Sequence, residues 1–378
     1  MRAFRTGAMS LLVVSIVMGG APAMAVDGPI WRRTPGGAAA LTVTPSRRIY
    51  VVGSIRGKRG DALMVAKYGP QGRLIWRRTW RHAGPLWHAA GGAVAPAPGG
   101  GVFVGGDTGH GTGEGGDALL LRYSATGRLR WRRELPEEFG TSMVSGLAAT
   151  SYGVVATVED FGCCDSAVER DGYVQAFRAD GARVWRSAFE APGIDPDTRD
   201  APEAVATSWA DRVYVVGSID RRVYREGAPP PDVDRMIQAL DRHGRVVWTR
   251  VNGRDGHRTY DDRLGDVAVR RGLVVVAGSS WSRSGHRTVA WLAAIGPDGQ
   301  RRWADAWDGA GHQAHATAAA IAPWGPIYVG TDRSLRRYTR AGGLREERPT
   351  PDDAWVTDVA ARGAVYLTAG RELQRWRR

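Results

Sequence analysis

One pattern returns along nearly the whole chain: a small apolar strand, a short turn, a β-branched strand ended by glycine, a variable loop, a third strand, then Gly-x-x-x-Trp. The second strand of the units reads Ile49-Tyr50-Val51-Val52-Gly53, Val102-Phe103-Val104-Gly105, Val213-Tyr214-Val215-Val216-Gly217, Val274-Val275-Val276-Ala277-Gly278, Ile327-Tyr328-Val329-Gly330 and Val365-Tyr366-Leu367. Val154-Val155-Ala156-Thr157 is a divergent copy. Runs this short, β-branched and aromatic are buried strands rather than helices.

The third strand and its turn keep one spacing in Tyr68 to Gly72, Tyr123 to Gly127, Phe177 to Gly181, Leu240 to Gly244, Ile295 to Gly299 and Tyr338 to Gly342. Trp76, Trp131, Trp185, Trp248 and Trp303 follow at a fixed distance and open the outer strand. A large ring at one fixed position is best used between adjacent sheets, where it buries most area.

Six units are complete, and the chain ends supply pieces of a seventh. Ala354 to Arg378 holds three strands, and Asp27-Gly28-Pro29-Ile30-Trp31-Arg32-Arg33 matches the turn and outer strand Gly72-Arg73-Leu74-Ile75-Trp76-Arg77-Arg78. Joining them closes a ring, which leaves only short, protected sheet edges and needs no capping repeats. The expected fold is all-β: a single β-propeller of about seven four-stranded blades over residues 26–378, its last blade closed by the mature N-terminal strand.

Residues 1–25 have the layout of a signal peptide, with Arg2 and Arg5 before the apolar run Leu11 to Met18 and Ala23-Met24-Ala25 as the cleavage pattern. Sec export to the periplasm or beyond is expected, and no transmembrane segment, because that run is too short to span a bilayer. The chain carries a formal charge of +13, almost all of it arginine, with Lys58 and Lys67 the only lysines. Such a charge fits a polyanion-binding surface or a compositional bias. Nucleic acid is not an expected partner, and a monomer is expected.

Units such as Gly325-Pro326-Ile327-Tyr328-Val329-Gly330-Thr331-Asp332 followed by Leu335-Arg336-Arg337-Tyr338 and Gly342 resemble the repeats of bacterial PQQ-like propellers. Asp117-Ala118-Leu119-Leu120-Leu121-Arg122-Tyr123 with Gly127 and Trp131 resembles secreted seven-bladed β-propeller repeat proteins. The resemblance covers essentially the whole mature chain and implies the fold; those families include assembly scaffolds, uncharacterised secreted proteins and a minority of quinone enzymes.

In each unit the turns after the first and third strands are short, and the other two connections are long and varied. Strand alternation puts both long connections on one face of the disc, where binding sites are usually built. Aligning inner strands on Ala93-Val94, Ala204-Val205, Asp266-Val267, Ala320-Ile321 and Asp358-Val359 places His88, Arg199, Asp261, His315 and Asp353 at equivalent positions around the channel mouth. They form either a ligand-binding polar ring or a solvated funnel. Trp87, Trp281 and Trp307 fall in the same connections as stacking candidates for a sugar or a partner.

The histidine pairs His312 and His315, and His82 and His88, lack the helical register that would aim both rings at one ion, so no metal site is expected. Cys163 and Cys164 are adjacent; in an oxidising compartment they can close a vicinal disulfide, bind a soft metal or pair between chains, and the vicinal disulfide is the preferred reading. In the quinoprotein alcohol dehydrogenases that the chain resembles, such a disulfide lies against the quinone, which would make PQQ with calcium the cofactor. The chain has fewer units and no matching acidic set, so no cofactor is expected. Three functions follow in order: a propeller recognising a protein or glycan through its long-loop face, a polyanion-binding surface, and a PQQ- or metal-dependent oxidoreductase.

Overall fold

The computed structural model describes residues 29–378 except 59, 83–86, 111–115, 136–140, 161–171, 194–199, 221–232, 253–261, 283–286 and 310–312. Seven four-stranded antiparallel sheets form a closed propeller. The inner strands that line its axis are Gly37–Val43, Trp87–Ala97, Ser142–Ala149, Asp200–Thr207, Arg263–Arg270, Ala316–Ile321 and Val356–Ala361, which define blades 1 to 7 in that order. Among the described residues the helical segments are the short turns Pro98–Gly100 and Pro351–Asp353, and no helix is long and apolar enough to cross a membrane.

The ring closes as the repeat arithmetic requires. Trp31–Arg33 pairs antiparallel with Glu372–Trp376, with Trp31 opposite Arg375 and Arg33 opposite Leu373, so the N-terminal strand is the outer strand of blade 7. A second closure sits at the axis. The backbone N–H of Leu41 in blade 1 donates to Asp358 Oδ2 in blade 7 over 2.7 Å.

The core lies between blades, not within them. Along the second strand of blade 1, Tyr50 and Val52 pack toward blade 2, while Ile49 and Val51 pack toward blade 7. Successive side chains of a strand point to opposite faces, and each sheet is sandwiched by two others. Second and third strands are therefore apolar on both sides, as the V-Y-V-V pattern demands.

The recurrent tryptophans lock these seams. Trp76 of blade 1 lies under the outer hairpin of blade 2, where a Cβ on Gly127 (φ +82°) would meet its ring at 2.9 Å, and its Nε1 donates to Ala125 O at 3.0 Å. Trp131, Trp185, Trp248 and Trp303 repeat the bond to Ala179, Arg242, Pro297 and Arg340 carbonyls. Glycine is needed here twice over, for the left-handed backbone and for the close approach of the ring. Trp31 of blade 7 sits likewise beneath Gly72, but its Nε1 is buried without a hydrogen-bond partner.

Candidate functional site

Of the residues singled out from sequence, the structure gathers three. Trp307, His315 and Asp353 line one cavity of about 420 Å³ on the loop face, between blades 5 and 6 and under the connection to blade 7. Trp87 and His88 open the inner strand of blade 2, and Trp281 lies in the second strand of blade 5, so these strands run further than the sequence pattern suggests; their side chains lie outside the described residues. Arg199, Asp261, Cys163 and Cys164 also lie outside them.

The alignment behind the mouth ring needs one correction. Every inner strand carries a bulge at the same place, and in blade 6 it falls between Ala316 and Ala318. Ala318, not Ala320, therefore stands in register with Asp266 and Asp358, whose bulges fall between Leu264 and Asp266 and between Val356 and Asp358. The blade 6 counterpart of Asp353 is then Gln313, and His315 sits closer to its strand. The run Ala316-Thr317-Ala318-Ala319-Ala320 has no side chain that marks register, which is why the sequence misplaces it by two residues.

The cavity is built from fixed parts. His315 Nδ1 lies 3.1 Å from Asp332 Oδ2, and the His315 backbone N–H donates to the same oxygen at 3.1 Å. This contact favours a proton on Nδ1 and leaves Nε2 as the ring's acceptor. The Trp355 ring lies against the imidazole with centroids 5.3 Å apart. Asp332 Oδ1 is buried without a partner. On the opposite wall the Arg336 guanidinium stacks 4.1 Å over Trp307 and pairs with Glu347 at 2.9 Å, while Ser334 Oγ donates to the same carboxylate at 2.7 Å. Trp307 itself is the last residue of an outer strand, packed on Tyr338, so its ring is part wall and part core.

The cavity is acidic in a basic chain. Asp308, Asp332, Glu347 and Asp353 line it against Arg333 and Arg336. Aromatic walls with convergent polar groups suit a sugar or a partner's side chain.

Sequence reasoning used Asp266 and Asp358 only as alignment marks and missed their chemistry. Both face the axial channel from the bulges of blades 5 and 7, where other blades carry alanine or glycine. Asp266 accepts backbone N–H groups of Val267 at 2.7 Å and Ala319 at 2.6 Å. Asp358 accepts those of Val359 at 2.6 Å and Leu41 at 2.7 Å. Each carboxylate thus ties its blade to the next. The inner strands leave part of each side chain open to the narrow channel, yet surround it with protein. That burial pushes Asp266 up to about 7. Asp358 rises to about 8, first through burial and then through the charge of Asp266. An Asp in a position otherwise held by small residues was the available signal.

The outer-strand arginines divide into two kinds. Arg33, Arg78 and Arg133 donate from Nε to the carbonyls of Gly72, Gly127 and Gly181 in the next blade, so they are seam clips. Arg32 lies near Asp352 and Glu372, and Arg132 near Glu134. Among the described residues no group of three or more His, Cys, Asp or Glu side chains is arranged to hold a metal ion.

No family model matches the chain, and no curated protein matches it in sequence. Solved propellers do match in shape. The β-propeller domain of Myceliophteria thermophila Cps50 (Swd1) superposes with a TM-score of 0.60 at 9% identity, over 93% of this chain and 99% of that one. A chain of the mitotic checkpoint complex gives 0.60 at 12% identity, over 99% of both. A streptogramin B lyase gives 0.56 at 10%, over 91% of this chain and 94% of that one. At such identities the likeness is one of fold: this chain has the architecture of a seven-bladed β-propeller.

Proposed function

We propose that the chain is an exported binding propeller that recognises a protein or glycan partner through its long-loop face, with the cavity of Trp307, His315 and Asp353 as the anchoring pocket. The observation that carries this reading is the convergence of an aromatic wall, an oriented imidazole and a surplus of carboxylates in one cavity of about 420 Å³, a size suited to a sugar unit or a side chain. The rigid ring beneath supplies preorganisation, since the walls are held by His315–Asp332 and Arg336–Glu347 before any guest arrives. Solved propellers of the same shape include the Cps50 (Swd1) domain and a chain of the mitotic checkpoint complex, which agrees with a scaffold use of this fold.

The test is binding of the mature chain to arrayed glycans and to extracellular proteins of its source. Binding should weaken about ten-fold or more in a His315→Ala, Asp353→Ala double variant that melts like the parent. Undiminished binding by that variant would remove the cavity from the reading.

A further inference from the structure

The opposite face of the disc carries a second constellation. Arg270 ends the inner strand of blade 5, and Arg271-Gly272 turns the chain into the second strand with φ of +47° and +69°. Arg362 stands in the corresponding turn of blade 7, before Gly363 at φ +76°. From the outer hairpin of blade 6, Arg340 reaches inward until its Nη2 lies 3.5 Å from the Arg270 carbonyl. Three blades thus bring four guanidinium groups to one sector of the channel mouth. Arg270, Arg340 and Arg362 are partly buried there, and Arg271 is exposed.

Among the described residues none of the four forms an ion pair, and Arg270 Nε is buried without a hydrogen-bond partner. Two other part-buried guanidiniums do have carboxylates, although each also keeps one buried nitrogen without a partner: Arg235 sits 3.3 Å from Asp262 and over the Trp291 ring, and Arg336 pairs with Glu347. Burial, followed by the like charges of Arg362, Arg271 and Arg340, holds the Arg270 pKa below its ordinary value. Desolvated like charges without a counterion cost stability, and an anion that enters recovers that cost.

We propose that the turn-face mouth of the channel is an anion site that takes one phosphate- or sulfate-class oxyanion group, gripped by Arg270, Arg340 and Arg362 with Arg271 at the rim. The planar fork of a guanidinium matches pairs of oxygens on such a group, and three forks from three blades surround it. Asp266 and Asp358 stand deeper along the same inner strands, away from the arginine cluster. The site is separate from the acidic loop-face cavity and from the seam arginines, whose Nε groups are already bonded.

The experiment titrates sodium sulfate and inorganic phosphate into the full mature chain by calorimetry, at low ionic strength in an oxyanion-free buffer. Saturable binding of one ion per chain is expected, weakened about ten-fold or more in Arg362→Gln and in Arg270→Gln, and kept in Arg77→Gln, which removes an outer-strand charge instead. Without oxyanion, Arg362→Gln should melt above the parent, because a repulsion has gone; added sulfate should raise the parent more than the variant. Co-sedimentation with phosphatidylglycerol vesicles, against phosphatidylcholine alone, separates a lipid headgroup from a free ion: Arg362-dependent sedimentation assigns the headgroup, and its absence with intact sulfate binding assigns the free ion. Lack of saturable binding, or equal loss in Arg77→Gln and Arg362→Gln, overturns the site in favour of diffuse charge.

Discussion

Asp358 joins the last blade to the first through Leu41 N–H while its own pKa is pushed to about 8, and these two facts together set how the ring responds to pH. An unfolded aspartate loses its proton near its ordinary pKa of about 4. The folded chain retains one at Asp266 and at Asp358 well above that value, toward about 7 and about 8. The native state therefore binds more protons than the unfolded state between these limits, and stability falls as pH rises through that window. The two groups titrate as a pair. An Asp358→Asn variant cannot ionise there, though it gives up one of the two acceptors that serve Leu41 and Val359. It should be less stable than the parent near pH 5, and the deficit should shrink or reverse by pH 9. Thermal melts across that range check this, and parallel curves for parent and variant would show that the carboxyl does not titrate in the window.

Among the elements, second and third strands were legible in the sequence because both of their faces are buried, so neither face can drift in character: Val213 to Val216 and Val274 to Ala277 are apolar throughout. Tryptophan after the hairpin glycine was legible as a seam residue, and the structure adds its bond to the neighbouring hairpin carbonyl. Inner strands were less so. Small residues that line a channel carry little pattern, and the blade 6 register slipped on a run of alanines. The arginine cluster at the turn-face mouth escaped notice because its members belong to three blades and to hairpins that look monotonous one at a time. The seams themselves differ in a testable way. Trp76 Nε1 bonds to Ala125 O, whereas Trp31 Nε1 at the closing seam has no partner. Phenylalanine removes the N–H and trims the ring equally at either site. Trp76→Phe should therefore lose about 1 kcal/mol more than Trp31→Phe, the worth of one hydrogen bond, by chemical denaturation. Equal losses would mean that the indole N–H contributes nothing to the seams.

Across the whole molecule, one seam departs from the rule, and it is the one beside the chain ends. Five outer strands have tryptophan four residues after the hairpin glycine, but in blade 6 that place after Gly342 is taken by Glu346, which pairs with Arg337 and Arg348. The hairpin that a tryptophan here would clamp belongs to blade 7, where the paired strands Glu372–Trp376 and Trp31–Arg33 come from opposite ends of the sequence and are not joined by a turn. Arg348 Nη1 instead reaches Arg377 O at 3.3 Å. The sequence spacing shows how to restore that hairpin. Trp31 faces Arg375 as Trp76 faces Lys67, so Pro29 stands where Leu74 does. Fusing Arg378 to Val26 would leave Arg377, Arg378, Val26, Asp27 and Gly28 between Trp376 and Pro29, the same length as Gly69 to Arg73 between Tyr68 and Leu74, and Asp27→Gly would supply the glycine in the place of Gly72. A circular permutant fused in this way and opened between Glu137 and Glu138 should melt cooperatively, at or above the midpoint of the parent, because a covalent hairpin then replaces a noncovalent closure. In that permutant, but not in the parent, Glu346→Trp should raise the midpoint further, since only there does the ring find a continuous hairpin to clamp. A broad, non-cooperative melt of the permutant would mean that the seventh blade depends on something other than hairpin geometry, and an equal effect of Glu346→Trp in both backgrounds would detach the missing tryptophan from the chain break.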